Sequence, residues 1–302
     1  MLNFGILLKS YDKDFDLAER LIESFNRFNP ELLQMFIVVP ESDVEQFRIF
    51  ESETISVLSE SLLGQYLVDH EVAGIRPGYI NQEIVKLSFW ELGLTKNYFC
   101  VDSDAVFIRP LSINDFMFDE STPYTVLVED NELKSEPSYF EQHWKGREPQ
   151  LRRIQELVGL EDRRILTCHG HQVFSASVLE SLRNTFMNPR GWTYENLLQE
   201  APYEFTWYNM WLQKQQDIPI QFREPLMKTI HNQVQHLEFL IRGTSETHLA
   251  RAYIGLVLNS NFTNAIPGYR REESVSRTLS RYLTTRQLME TALQKAKSAL
   301  NM

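Results

Sequence analysis

Two carboxylates interrupt an otherwise apolar stretch from Tyr98 to Arg109, and they constrain the fold more than any other feature of the chain. Asp102 and Asp104 stand one residue apart, with apolar and aromatic residues on both sides. A strand that is buried on both faces needs apolar side chains throughout, and charges are rarely buried without a partner. We therefore expect a buried strand that ends at the two acids. Carboxylate oxygens at a strand end suit a hard divalent cation, and acids that simply face water are the alternative.

The chain before this stretch alternates between strand-like and helix-like patterns. Apolar runs predict strands at 4–8, 35–39 and 55–58, and apolar residues at helical spacing predict helices at 15–28 and 42–50. Such alternation predicts a mostly parallel sheet with right-handed crossovers, in which ligands bind beyond the carboxyl ends of the strands. Residues 9–12, 59–61 and 102–104 should therefore lie along one edge of the sheet.

Composition limits the classes of function. The chain has 302 residues and a net charge of −11, which argues against a general nucleic-acid binder. Its two cysteines, Cys100 and Cys168, are too few for a disulfide framework and favour a reducing, cytoplasmic location. No apolar run approaches the roughly 20 residues that a membrane span needs.

Two further predicted helices carry polar side chains suited to chemistry. The helix at 80–92 leads into the Asp102 strand and places Gln82 and Lys86 on one face, where the lysine could neutralise phosphate charge. A solvated lysine is the alternative. The aromatic segment 203–212 places Glu204 and Tyr208 on one helix face. Aromatic neighbours should disfavour the charged form of Glu204 and so raise its pKa, as a general base near neutral pH requires. The alternative is an acid that satisfies free backbone N–H groups at the start of the helix.

The segment at 133–162 is polar and charged, and we expect an irregular excursion over the site. After it, Cys168, His169 and His171 suggest zinc, but a fourth ligand is missing. A tight turn at Gly170 against a ligand is the favoured interpretation.

The tail at 270–302 predicts a basic amphipathic helix. It carries seven arginines and lysines against three glutamates, together with an apolar stripe of helical period. Such a helix can lie on an anionic membrane surface, here the inner face of the membrane, or pack on the domain or pair with a second subunit. We favour packing or pairing, and we expect one domain at 1–269 followed by this tail.

Four blocks of sequence together resemble glycosyltransferases of the GT-A type, and among them a bacterial family of nucleotide-sugar transferases. The blocks are Gly78–Leu87, Val101–Asp104, Gly170–Ser175 and Tyr203–Tyr208. The chain departs from the family pattern at Tyr203, Thr206 and Asn209, where the family has Ser, Glu and Gly. The likeness covers roughly residues 1–265 and leaves out the basic tail.

The resemblance implies a fold, a reaction and a set of site residues. The fold would be α/β and GT-A, with a mixed, mostly parallel sheet flanked by helices. The reaction would move a sugar from a nucleoside-diphosphate sugar, UDP more often than GDP, to a hydroxyl of a glycan or glycolipid. Asp102, Asp104 and His231 would bind Mn²⁺ or Mg²⁺. The donor would be bound by Ser10, Tyr11, Asp12, Gln82, Lys86, Asp102, Gly170 and Gln172.

The same resemblance places Glu204 and Tyr208 near the acceptor. In an inverting transfer Glu204 would deprotonate the acceptor hydroxyl, and in a retaining transfer it would instead orient the sugar or acceptor. A phosphohydrolase of the haloacid dehalogenase type is a competing hypothesis, because it also uses two acids at a strand end. It needs a later acidic pair, which the sequence lacks. A non-catalytic nucleotide-sugar binder is the third hypothesis.

Overall fold

The structure is a computed structural model that describes residues 1–128, 140, 144–161, 164–168, 170–230, 239 and 242–258. Within them the strands are β1 (Gly5–Lys9), β2 (Met35–Val39), β3 (Ile55–Ser59), β4 (Asn97–Asp102), β5 (Ala105–Phe107), β6 (Tyr124–Thr125), β7 (Val173–Ser175), β8 (Gln221–Phe222), β9 (Met227–Ile230) and β10 (Gly255–Leu258). The α-helices are α1 (Phe15–Arg27), α2 (Val44–Phe47), α3 (Pro77–Ser88), α4 (Lys145–Val158), α5 (Ala176–Ser181), α6 (Tyr194–Glu200), α7 (Glu204–Gln215) and α8 (Glu246–Leu249).

The central sheet is mixed and mostly parallel, as the sequence predicts. Its strand order is β3-β2-β1-β4-β7. The first four strands run parallel to one another, and β7 pairs with β4 in the antiparallel direction. Every residue of β1 and β2 is buried, which is what apolar runs covered on both faces should show.

Two apolar cores lie on opposite faces of this sheet. Because side chains alternate along a strand, Ile6 and Leu8 pack on the face covered by α1, whereas Leu7 packs on the face covered by α3. Smaller sheets of the order β5-β10-β9 and β6-β8 complete the described part of the fold. The parallel strands of the central sheet therefore end together at one edge, where a ligand can approach.

Helix α3 begins three residues earlier than the predicted helix, with Pro77 in its first turn, a position that tolerates proline. The predicted C-terminal part continues as a 3₁₀ helix at Phe89–Leu92. The Tyr98 hydroxyl of β4 donates a hydrogen bond of 2.6 Å to the carbonyl of Lys86. This bond ties the end of α3 to the strand that carries the two acids.

The prediction of an irregular excursion at 133–162 is wrong over much of its length. Residues 145–158 form α4, which buries Leu151, Ile154 and Val158. These three residues lie at helical spacing, but Pro149 and the many charges around them hide the pattern. Before this helix, β6 ends at Thr125, and Val128 forms an isolated bridge with Thr167.

Among the helices in the described ranges, none is both long enough and apolar enough to cross a membrane. The predicted helix at 270–302 lies outside the described residues, so its role and the domain boundary before it stay predictions.

Candidate active site

A cleft of about 680 Å³ opens at the carboxyl edge of the central sheet. Lys9 and Ser10 reach it from the end of β1, Glu60 from the end of β3, and Asp102 and Asp104 from the end of β4. The topology predicts that these three segments meet, and they do. The volume lies within the usual range for small-molecule sites.

One face of helix α3 forms a wall of the cleft. Tyr79, Gln82, Glu83 and Lys86 all line it, and their spacing of three and four residues places them on a single helix face. The opposite face of the helix, with Ile84 among its residues, packs into the apolar core. The helix thus presents a polar stripe to the cleft while its apolar side fixes its position.

The start of helix α7 forms another wall. Glu204 is the first residue of this helix and is 5% exposed. The helix is buried from Glu204 to Leu212, so the main chain around the carboxylate is held firmly. Next to it, the Thr206 hydroxyl accepts a hydrogen bond of 3.1 Å from Thr167. The resemblance has a second glutamate at the Thr206 position, and here that position carries a buried hydroxyl.

Lys86 joins the two walls through buried ion pairs. Its Nζ lies 3.0 Å from Oδ1 of Asp102 and 2.9 Å from Oε1 of Glu204. Gln82 Nε2 donates a hydrogen bond of 3.0 Å to the same Asp102 oxygen. Lys86 is 3% exposed, and its Nζ also lies 5.1 Å from the centre of the Phe205 ring. The ammonium therefore holds the strand acid and the helix acid in one network.

The electrostatics of this network favour the charged forms of Lys86 and Asp102. Burial by itself would lower the pKa of Lys86, but the carboxylates of Asp102 and Glu204 raise it well above its usual value. Burial likewise opposes charge on Asp102, whereas Lys86 and His171 hold the pKa of Asp102 below its usual range. Lys86 is thus a fixed positive charge between two acids.

Glu83 lies beside Glu204 and is only 2% exposed. Burial and the neighbouring Glu204 carboxylate raise the pKa of Glu83 well above its usual value, and the two side chains are hydrogen-bonded. Two carboxylates in contact cannot both ionise readily, so the protonated form of Glu83 is favoured. Oε2 of Glu83 has no hydrogen-bond partner in the part of the chain that the structure describes.

Gly170 and His171 form a strained turn against the cleft. Gly170 has φ of +140° and His171 has φ of +59°, and both line the cleft. Positive φ at Gly170 fits the tight turn that the sequence predicts there. A histidine in the left-handed region is uncommon, and such strain is often found at functional sites. His171 Nε2 lies 3.8 Å from Oδ2 of Asp102, so the turn brings an imidazole to the strand acid.

Several predicted donor residues line the cleft, namely Ser10, Tyr11, Gln82, Lys86, Asp102 and Gly170. Asp12 does not, because it is exposed and its backbone N–H donates to Asp43 Oδ2 at 2.8 Å. Gln172 is fully buried behind the turn, and its backbone carbonyl accepts from the N–H of Cys100 at 3.1 Å. The structure therefore brings neither Asp12 nor Gln172 into the cleft.

Tyr208 also lies outside the cleft. It is 1% exposed, its ring stacks on Phe174 with centroids 4.5 Å apart, and its hydroxyl accepts from the N–H of Ser175 at 3.0 Å. Although Tyr208 stands four residues after Glu204, the helix places it deeper in the core. His231, the predicted third metal ligand, lies outside the described residues.

The acids of the cleft fit a magnesium- or manganese-like ion better than zinc. Asp102 and Asp104 supply carboxylate oxygens two residues apart, and such ions often bind one or two carboxylates while substrate phosphates and water complete the shell. Across the described ranges, no three His, Cys, Asp or Glu side chains gather as a protein-only metal site would. Oδ1 of Asp102 already faces Lys86 and Gln82, so Asp104 and Oδ2 of Asp102 are the positions for an ion.

Sequence reasoning did not single out Tyr79 and Glu83, and it considered His171 only as a candidate zinc ligand. Tyr79 and Glu83 could have been found by extending the Gln82 and Lys86 face by one helical turn. The left-handed backbone of His171 could not have been found in this way, because the residues around it predict only a turn at Gly170.

Two solved structures that match this chain are glycosyltransferases. Mouse xyloside xylosyltransferase 1 in its apo form matches 86% of this chain and 99% of its own at 9% identity and a TM-score of 0.44. The apo structure of the bifunctional glycosyltransferase WbbM matches 86% of this chain at 12% identity and a TM-score of 0.51. This chain spans 46% of the WbbM chain. The similarity to WbbM confirms the predicted fold class.

Among curated proteins, none matches the sequence. A family model does match residues 5–240, which include each described side chain of the ion-pair network. The chain belongs to this family, which is described as a family of unknown function, DUF6492.

Proposed function

We propose that this protein is a divalent-metal-dependent glycosyltransferase that moves a sugar from a nucleoside-diphosphate sugar to a hydroxyl of a glycan or glycolipid. The observation that carries the proposal is the connection of Asp102 to Glu204 through Lys86 on the wall of one cleft. It places a strand-end acid suited to a metal ion beside an acid suited to an acceptor hydroxyl. The fold shared with WbbM supports the same reaction class.

The charge of the cleft supports a requirement for metal. Among the described residues that line it, five carboxylates besides the protonated Glu83 face four lysines and arginines. The carboxylates are Asp14, Glu60, Asp102, Asp104 and Glu204, and the cations are Lys9, Arg76, Lys86 and Arg147. An acidic cleft repels a diphosphate. A divalent cation between the acids and the donor would reverse that repulsion.

Asp104 and Asp102 would hold the ion at the end of β4. When bound, a divalent ion stabilises the negative charge that develops on the leaving β-phosphate oxygen. Lys86 and Gln82 fix the orientation of Asp102 through its Oδ1. Ser103 fixes the end of β4, because its hydroxyl donates a hydrogen bond of 3.0 Å to Ser10 Oγ. The strand end is therefore organised before the donor arrives, which lowers the cost of reorganisation.

Glu204 would contact the acceptor hydroxyl. In an inverting transfer the acceptor oxygen bonds to the anomeric carbon, the bond from that carbon to the phosphate oxygen breaks, and Glu204 takes the hydroxyl proton. The electron pair of the broken bond stays on the nucleoside diphosphate. In a retaining transfer Glu204 would orient the same hydroxyl without taking its proton. Both mechanisms place the acceptor on the Glu204 side of the cleft.

The experiment is a thermal-shift screen of the purified protein with UDP- and GDP-sugars, each measured with and without Mn²⁺. We expect at least one nucleotide sugar to raise the melting temperature, and to raise it further with Mn²⁺. The matching assay follows release of the nucleoside diphosphate. The variant Glu45→Gln, a change from carboxylate to amide at an exposed residue, is the control for surface charge.

Three outcomes would count against the proposal. If no nucleotide sugar stabilises the wild-type protein with or without Mn²⁺, the proposed function is wrong. If phosphate is released without sugar transfer and Asp102 carries a covalent phosphate, the phosphohydrolase hypothesis is correct instead. Stabilisation by a nucleotide sugar without turnover toward any acceptor would favour the non-catalytic binder.

A further inference from the structure

The acceptor side of the cleft contains a group of residues that the proposed chemistry does not use. Glu83 lies beside Glu204, and Lys86 pairs with both Glu204 and Asp102. Tyr79 and Tyr203 line the same cleft. Tyr79 stands one helical turn before Glu83 on α3, and Tyr203 directly precedes Glu204.

The environment of both tyrosines favours the protonated phenol. Glu83 and burial raise the pKa of Tyr79, and burial raises the pKa of Tyr203 although Arg147 opposes it. Both phenols therefore keep their protons and remain hydrogen-bond donors. Arg147 lies over the Tyr203 ring at 4.7 Å from its centroid, which fixes the ring orientation.

Glu83 has one buried oxygen that lacks a partner. Although Glu83 lies beside Glu204, its Oε2 has no hydrogen-bond partner in the described part of the chain. A buried acceptor without a partner is costly, and natural proteins rarely leave one unless a ligand or water uses it. Because Glu83 lines the cleft, a bound ligand is well placed to supply the missing donor.

We infer that Glu83, Tyr79 and Tyr203 form an acceptor subsite for a sugar with adjacent hydroxyl groups, one hydroxyl facing Glu204 and its neighbour donating a hydrogen bond to Glu83. The inference rests on the proposed function, because it takes Glu204 as the residue that contacts the reacting hydroxyl. The two carboxyl groups touch, so the two ligand hydroxyls must also be neighbours. A sugar ring provides such a pair, whereas a simple lipid alcohol or a serine hydroxyl does not.

The tyrosines supply the remaining part of sugar recognition. Aromatic rings offer apolar faces to the C–H faces of a sugar ring while their hydroxyls remain available for hydrogen bonds. Tyr79 is 38% exposed and stands at the mouth of the cleft, and Tyr203 is partly buried beside Glu204. A glycan could therefore enter past Tyr79 and place its terminal residue against Glu83.

The test measures binding of methyl glycosides of glucose, galactose and mannose to the wild-type protein by isothermal titration, in the presence of the nucleotide sugar that stabilises it. The best ligand is then compared with its monodeoxy analogues. We expect one deoxy analogue, which lacks the hydroxyl next to the reacting position, to bind about 10- to 100-fold more weakly.

Variants at Glu83 test whether the weaker binding of the deoxy analogue is due to the loss of a hydrogen bond to Glu83. Glu83→Leu should weaken binding of the parent glycoside by about 10-fold or more and remove the difference between the parent and its deoxy analogue. Glu83→Gln keeps a neutral side chain that can donate to Glu204 and accept from the sugar, so it should bind within about threefold of wild type. Tyr79→Ala changes a partly exposed residue, so it tests the subsite without disturbing the buried acids, and it should weaken every methyl glycoside.

The outcomes separate this inference from the proposed function. If a nucleotide sugar stabilises the protein but no methyl glycoside binds, the inferred acceptor subsite is overturned, whereas the use of a nucleotide-sugar donor stands. Equal binding of all deoxy analogues, or unchanged discrimination in Glu83→Leu, also overturns it. If no nucleotide sugar binds the wild-type protein at all, the proposed function is overturned first.

Discussion

The ammonium of Lys86 lies 2.9 Å from the carboxylate of Glu204, although the two residues are 118 positions apart in the chain. The same nitrogen lies 3.0 Å from Asp102. One buried cation thus sets the distance between the strand end that would hold the donor diphosphate and the helix start that would meet the acceptor. We expected Lys86 to neutralise phosphate charge, but the structure engages it with protein carboxylates.

Loss of the Lys86 charge should destabilise the protein. Lys86→Met removes the positive charge from a buried cluster and leaves Asp102 and Glu204 without their shared counter-charge. Removal of one partner from a buried ion pair costs about 3–5 kcal/mol. We expect a decrease of that size in the unfolding free energy, measured by urea denaturation.

The exposed lysine Lys13 provides the control, because Lys13→Met should change stability by less than about 0.5 kcal/mol. Combining Lys86→Met with Glu204→Gln should recover part of the loss, since fewer charges remain unpaired. A loss below about 1 kcal/mol in the single variant would contradict the assigned role of Lys86.

The Asp104 carboxylate should carry the metal dependence of donor binding. Asp104→Asn keeps the size of the side chain but removes its charge, so an ion at the strand end loses a hard ligand. We expect the Mn²⁺-dependent part of the nucleotide-sugar affinity to fall by about tenfold or more, while metal-free binding changes little. Titration with Mn²⁺ at a fixed nucleotide-sugar concentration measures this effect. If Glu45→Gln and Asp104→Asn give the same Mn²⁺ response, Asp104 is not a ligand.

Tyr208 should support the fold and have no part in the chemistry. Tyr208→Phe removes the hydroxyl that accepts from the N–H of Ser175 and leaves that buried donor unpartnered. The expected cost is about 1–3 kcal/mol of unfolding free energy. Donor binding of the folded protein should stay within about twofold of wild type. Unchanged stability together with lost sugar transfer would restore the catalytic role that the sequence predicts for Tyr208.

The sequence predicts the sheet well because its strands are short apolar runs that are buried on both faces. The two acids after Val101 mark a strand end without any knowledge of the rest of the fold. Parallel topology then brings Ser10, Glu60 and Asp102 to the same edge. These are consequences of local pattern and chain direction, and both can be read directly from sequence.

The contacts inside the cleft could not be predicted in the same way. Spacing places Gln82 and Lys86 on one helix face, but it does not reveal that Lys86 points at Glu204. The same spacing rule places Tyr208 beside Glu204, and there the helix turns the tyrosine into the core. The burial of Gln172 could not be predicted either. Gln172 follows a turn in which His171 has a left-handed backbone conformation, and the residue types of the turn do not predict that conformation. Contacts between side chains of elements that are distant in the chain depend on how those elements pack against each other, and sequence spacing does not determine this packing.

The raised pKa of Glu83 should make stability depend on pH. The groups that face Glu83 are Glu204 and Tyr203 on one wall, Tyr79 and Lys86 on its own helix, and Asp102 beyond the lysine. Because burial and Glu204 raise the pKa of Glu83, the native state holds more protons than the unfolded chain above the unfolded pKa of about 4.3. The stabilisation from the protonated form is complete below that pH and is lost as the pH rises through the raised native pKa.

In that window the unfolding free energy should fall by up to about 1.4 kcal/mol per pH unit on account of this group. Glu83→Gln cannot ionise, so this contribution disappears, and the variant should gain stability relative to wild type as the pH rises. Urea denaturation of both proteins at intervals between pH 5 and pH 8 measures the difference, with Glu45→Gln as the control that should follow wild type. Parallel curves for wild type and Glu83→Gln would show that Glu83 is already ionised in the native state, and that its pKa is not raised by burial and Glu204.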